Sequence, residues 1–177
     1  MVAFLLFRII IHYATILLRN GGPMEHYRQS LLIQARPAVL YAALTTEAGL
    51  RGWWTQDCDV ARVPGDTHRM RFGPHHKDLR VEQLQAEHLV RWRCTGALID
   101  LPELSRKDEW IGTELVFRLE AQGEGQTRLH FEHLGLVPAI ECYEVCAQGW
   151  QHFLASLQQY AETGRGMPHA LADSCAQ

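Results

Sequence analysis

The sequence predicts an α+β domain, a curved antiparallel sheet around one long C-terminal helix, with two short helices after the first strand. Three observations carry that prediction. Leu115, Phe117 and Leu119 alternate with Glu114, Val116, Arg118 and Glu120; Leu129, Phe131 and His133 alternate with Arg128, His130 and Glu132. Between the two runs lies AQGEGQ (121–126), with two glycines and no bulky apolar residue. Period two on both sides of such a turn marks an antiparallel hairpin with one buried face. After Pro138 the period becomes helical: Tyr143, Cys146, Trp150, Phe153, Leu154, Leu157 and Tyr160 recur on one face up to Gly164. Near the front, Pro37 and then Thr45 or Thr46 with Glu47 supply the start signals of two short helices.

Each element follows in order. Tyr27 to Gln34 reads as the first strand, with Leu31 and Ile33 on one face and Leu32 opposite. Val39, Leu40 and Leu44 give the first short helix an apolar side, and the second ends near Gly52. Asp57 to Val63, Thr67 to Phe72, Asp78 to Ala86 and His88 to Thr95 are four further strands, separated by turn signals at Pro64-Gly65-Asp66 and Gly73-Pro74. Val90, Trp92 and Cys94 alternate with Arg91 and Arg93, the pattern of a half-buried strand. Leu98 to Asp108 mixes Pro102 with charged residues and reads as a loop able to act as a lid. Arg69, Arg71, Arg91 and Arg93 point outward on neighbouring strands, where Glu114, Glu120 and Glu132 can pair with them.

Several residues fall in one order along the chain: Ile33-Gln34-Ala35, Pro37, Leu40, Ala42, Trp53-Trp54, Trp110, Gly112-Thr113, Thr127, His133 to Leu136, Gly149-Trp150, Ser156-Leu157, Tyr160, Gly164, Gly166 and Pro168. The series resembles the START-like (SRPBCC) superfamily of helix-grip folds. Within it, the nearest likeness is to bacterial single-domain proteins similar to the C-terminal domain of the activator of the heat-shock-protein-90 ATPase. The likeness runs from about Glu25 to Pro168. It implies the helix-grip architecture and a cavity between sheet and helix; one fold hosts many activities, so it leaves function open.

The 177 residues suit one domain with a full core. A formal charge of −3 argues against a general nucleic-acid binder, which shows a basic excess. Five cysteines without paired spacing do not make a disulfide framework and read as reduced thiols in a cytoplasmic protein. Residues 1–23 stand apart. Val2 to Leu18 is apolar apart from Arg8 and His12, and a spanning helix needs about 20 apolar residues. The preferred reading places the natural start at Met24; a weak membrane anchor or an extra packed helix are the alternatives. Without Arg8 and Arg19, 15 basic residues face 20 acidic ones. Domain limits are then 24–168, with a flexible tail over 169–177.

The expected function is a binding module for a small hydrophobic or aromatic ligand. The ligand-binding candidates on the strands are Phe72, Trp92, Phe117, Phe131 and His133; those on helices and loops are Trp54, Trp110, Tyr143 and Trp150. Apolar pockets with few polar groups are lined in this way. The plainer reading of the five tryptophans is core packing, with Trp150 and Trp92 the foremost pocket residues and Trp53 and Trp54 at the entrance. His133 shares the inward face of Leu129 and Phe131. Its readings are a structural histidine, a ligand contact and, last, a general base that no carboxylate is placed to orient; it is the only inward titratable group the alternation marks clearly. An enzyme like the superfamily's polyketide cyclases is the alternative and would need a convergent acid/base set. A chaperone-ATPase-activator-like interaction module is a third reading. No catalytic residue, cofactor or metal is expected: no His or Cys pair has zinc spacing, and no phosphate loop or nucleophile elbow occurs. The expected partner is the ligand, with no nucleic acid, and a membrane only if residues 1–23 act as an anchor; monomer and homodimer both stay open.

Overall fold

The computed structural model describes residues 25–170, so the N-terminal extension and most of the expected tail lie outside the described residues. Seven strands form one antiparallel sheet in the order β1-β7-β6-β5-β4-β3-β2. They are β1 (Tyr27–Ile33), β2 (Asp57–Asp59), β3 (Thr67–Phe72), β4 (His75–Gln85), β5 (Leu89–Leu98), β6 (Glu114–Ala121) and β7 (Thr127–Leu134). Between β1 and β2 come α1 (Pro37–Thr45) and α2 (Glu47–Trp53); α3 (Tyr143–Thr163) follows the sheet. This is the helix-grip arrangement expected from the sequence.

The hairpin pairs as its alternation predicts, with Leu115 opposite His133, Phe117 opposite Phe131 and Leu119 opposite Leu129. Val116 departs from the alternation: it lies on the outer face yet is fully buried, between its register partners Arg91 and Glu132. Proline opens α1, and the Thr46 side chain accepts the Gly49 N–H at 3.0 Å to cap α2. Gly164 takes a left-handed φ of 79°, and its N–H bonds the Tyr160 carbonyl to end α3.

Three strand limits differ from the sequence reading by three residues or more. β2 stops at Asp59 rather than Val63, because the Ala61 N–H is taken by His68 Nδ1 at 2.9 Å instead of a ladder carbonyl. β4 begins at His75, since the two-residue turn Gly73-Pro74 brings Phe72 directly opposite His75. β5 runs on to Leu98 beside it. One register shift inserts Thr95 into β5 opposite Asp78/Leu79 and another inserts Glu82 into β4 between Val81 and Gln83, and bulges of this kind curve a sheet locally.

The outward arginines are paired across strands, partly with other carboxylates than expected. Arg69 meets Asp78 in a two-point contact of 2.7 Å, Arg71 meets Asp57 and Asp59, and Arg93 meets Glu114 at 2.6 Å. Glu120 instead lies 3.4 Å from His130. These pairs are partly exposed, so each contributes about 0–1 kcal/mol.

Candidate functional site

Five aromatic residues form a continuous layer between sheet and α3. Trp53 and Trp54 stack at 5.3 Å, and Trp54 stacks in turn on Trp92 at 5.9 Å. Trp150 touches Trp54 at 5.5 Å and Trp110 at 5.7 Å. α2 and its C-cap deliver the first two rings, β5 the third, the loop before β6 the fourth and α3 the fifth. Offset aromatic pairs contribute about 0.5–1.5 kcal/mol each beyond their burial, so the layer is also a stability element.

A cavity of about 450 Å³ opens on one side of this layer. Trp54, Trp110, Trp150, Phe72 and Phe153 supply its aromatic wall, Ile99 and Leu101 an aliphatic one, and the β3–β4 turn a rim at Gly73 and Pro74. His75, Lys77, Cys146 and His169 are its polar members. On the α3 side the wall includes Gly149, and a Cβ added there would meet nothing within 4 Å. Glycine inside a helix costs about 1 kcal/mol relative to alanine. Here its missing side chain leaves the space open.

The Leu98–Asp108 loop, expected as a lid, is the aliphatic wall. Ile99 N–H bonds the Lys107 carbonyl at 2.7 Å, and Asp100 and Lys107 form an ion pair. The backbone N–H groups of Ser105 and Arg106 reach Glu141 Oε2 at 2.8 and 3.2 Å, tying the loop to the approach to α3. His169 is likewise held: it bridges to Thr55 and exchanges backbone bonds with Trp54 and Gln56. Ordered pairing therefore extends one residue past the expected domain limit.

Of the nine candidates, Trp54, Phe72, Trp110 and Trp150 meet at the cavity. Trp92, Phe117 and Phe131 lie outside its lining, packed together in the core beside the tryptophan layer. Tyr143 is half-buried at the edge of the core and does not reach the lining. His133 lies apart from the cavity. It is fully buried, but Trp110 and Trp150 pack against it edge-on, and it is absent from the cavity wall. Its Nδ1 accepts the Trp150 Nε1–H at 3.0 Å, so Nε2 carries the proton and donates to Thr113 Oγ1 at 2.8 Å. The Thr113 hydroxyl in turn donates a hydrogen bond to the Trp110 carbonyl at 2.7 Å. Both ring nitrogens are satisfied within the protein. Burial, with smaller contributions from Lys77 and His26, pushes the imidazole down to about 3, so it stays neutral.

Lys77 is the residue that sequence reasoning missed. It follows the inward register of Leu79 and Val81 on β4, two positions before Leu79. Starting that strand at Asp78 hid it; extending the period-two count back one step finds it. Burial holds its ammonium below the ordinary lysine value, against weaker opposing influences from Cys146, Cys94 and Cys142. Nζ contacts the Leu98 carbonyl at 3.5 Å and lies 4.9 Å from the centre of the Trp110 ring. Cys146, beside it, accepts the Trp110 Nε1–H at 3.1 Å. A hydrogen bond from Cys142 holds the Cys146 thiol below its usual value, while burial raises Cys94 to about 11. His68, also missed, is buried beside Trp92 and pushed down to about 4 by desolvation. No group of three or more metal-ligating side chains occurs among the described residues. No helix among them is long and apolar enough to cross a membrane.

A curved sheet gripping a long helix, with a cavity enclosed between them, defines a START-like, SRPBCC-type domain. Within that class, the family profile described as Activator of Hsp90 ATPase homolog 1-like protein matches residues 34–162, and the chain belongs to this family. Among solved structures, it is similar to the Aha1 dimer from Colwellia psychrerythraea, with 35% identity and a TM-score of 0.68. That match covers 81% of this chain and 100% of the other. DynU16, from the dynemicin biosynthetic locus, is 18% identical with a TM-score of 0.63, covering 81% of this chain and 49% of that one. Protein MLL2253 from Mesorhizobium loti is 18% identical with a TM-score of 0.60, covering 75% and 95%. The last two likenesses concern the fold alone. No curated protein matches the chain.

Proposed function

We propose that the protein is a binding module for a small hydrophobic ligand held between the sheet and α3. The observation that carries this reading is the cavity itself: about 450 Å³, walled by Trp54, Trp110, Trp150 and Phe153, with the helix left open at Gly149. Its volume lies in the range of small-molecule sites, and its surface is apolar with few polar groups, as such sites are. Among the described residues the lining contains no aspartate or glutamate, and His133 is used up in bonds to Trp150 and Thr113. The titratable members of the described lining, His75, Lys77, Cys146 and His169, include no carboxylate to orient a histidine base as a cyclase site would, which favours the binder over the enzyme.

Three tryptophans in the wall make the test direct. Titration with apolar aromatic and aliphatic compounds is expected to change the intrinsic tryptophan fluorescence saturably. Gly149→Leu fills the opening and should abolish that response while leaving thermal unfolding close to wild type. A saturable response that survives Gly149→Leu would place binding elsewhere, and no response across the panel would end the ligand reading.

A second reading concerns self-association. The relative from Colwellia psychrerythraea, 35% identical, is described as a dimer. A homodimer of this chain follows by analogy, and light scattering across a concentration series decides it.

A further inference from the structure

We propose that Lys77 anchors the head group of the cavity's occupant, and that this occupant is an apolar monoanion, a carboxylic acid with an aromatic or aliphatic body. The proposal rests on the reading of the cavity as a ligand site and names the chemistry of what fills it.

Lys77 is 6% exposed and lines the cavity among tryptophan rings. An ammonium carries three donors and no acceptor. Here those donors meet one carbonyl, Leu98 O at 3.5 Å, and the face of Trp110. The titratable groups facing it are thiols and an imidazole: Cys94 from β5, Cys142 and Cys146 from α3 and its approach, and neutral His133 from β7. His75, on the same strand, spends its Nδ1 on the Asp100 N–H at 2.9 Å. None of these is a carboxylate. A buried cation is costly unless paired and hydrogen-bonded, and among the described residues no carboxylate supplies that pairing. Methionine or leucine at this register position would continue the apolar run of Leu79 and Val81 without that desolvation cost.

The chemistry of the head group follows from the charges on the wall. One ammonium balances one negative charge, and a second charge on a phosphate-like group would be buried against tryptophan and isoleucine. A carboxylate matches in charge and in size. It also accepts several hydrogen bonds, including those the Leu98 carbonyl leaves unfilled. The apolar body then lies against Trp54, Trp150 and Phe153.

Two matched pairs of probes test this by calorimetry at pH 7 on the full chain: decanoic acid with 1-decanol, and 4-phenylbutanoic acid with 4-phenylbutan-1-ol. Each acid is expected to bind wild type about tenfold or more tightly than its alcohol, since a charge-assisted bond to a buried ammonium is stronger than a neutral one. Lys77→Met keeps the stem's bulk and should erase the preference for the acid while leaving alcohol affinity within about threefold. Alcohol binding to the variant also reports that its cavity is intact. Equal binding of acid and alcohol by wild type, or a preference that survives Lys77→Met, overturns the anchor and leaves the cavity reading standing. If none of the four probes binds wild type, the monoanion proposal falls. The broader fluorescence panel then decides whether the cavity reading falls with it.

Discussion

Trp150 serves two structures with one side chain: its ring closes the cavity, and its Nε1–H is held by His133 Nδ1 at 3.0 Å. Trp92 makes the instructive contrast, because its buried Nε1–H finds no acceptor among the described residues. Trp150→Ala is expected to lose about 3–5 kcal/mol, as large-to-small aromatic changes in cores do. Trp150→Phe strands the imidazole nitrogen, whereas Trp92→Phe removes a donor that was already unsatisfied. Urea denaturation should therefore show the larger loss for Trp150→Phe; equal losses would mean the indole–imidazole bond contributes nothing. His133→Leu leaves the Trp150 N–H without its acceptor, at about 1–3 kcal/mol for a buried unpaired group. Ligand affinity in that variant should stay near wild type, and a large fall would return His133 to the site. At this scale the sequence was half legible. Alternation correctly turned His133 inward, but a period of two reports which face a residue occupies and not what lies above it.

The two short helices meet backbone to backbone. A Cβ on Gly49 would come within 2.5 Å of the Ala43 carbonyl oxygen and 2.6 Å of the Ala42 one, atoms that cannot rotate away. Gly49→Ala gains about 1 kcal/mol of helix propensity, but the overlap costs about 1–3 kcal/mol, so a net loss is expected. Gly149→Ala is the mirror case. With open space around it, only the propensity gain of about 1 kcal/mol remains, and thermal unfolding should move upward. Should both variants shift in the same direction, the α1–α2 contact or the open wall at α3 is misplaced. Strand and helix identities were legible from periodicity and turn residues. Their ends at β2 and β4 were not, because a side-chain bond from His68 and the pairing across Gly73-Pro74 decide them.

For the whole molecule, acid is the expected weakness. His133 and His68 are neutral in the fold, with values pushed by burial from 6.5 down to about 3 and about 4. Between pH 6.5 and those values the unfolded chain binds protons that the folded one cannot, so stability falls as pH drops through this window. Each group steepens the fall by up to about 1.4 kcal/mol per pH unit. Asp78 adds to it at lower pH: its hydrogen bond with Arg69 depresses the carboxyl, and that contribution is lost as the pH falls below 3.8. Denaturation midpoints measured from pH 7 to pH 4 should decline steadily. A flat profile would mean that both imidazoles are hydrated in the fold.

The sequence by itself determined the architecture: the antiparallel hairpin, the two short helices, the long aromatic helix and the charged outer face are all written in local periods and turn residues. It also marked the aromatic set from which the cavity wall is drawn. Only the tertiary structure decided which of those rings face empty space and which face each other, and that Lys77 stands among them. Hydrophobic patterning specifies an inward direction, and many inward side chains satisfy it equally. A cavity is a property of the gap left between elements, set here by the bulges in β4 and β5, the loop drawn in by Glu141 and the side chain that Gly149 lacks.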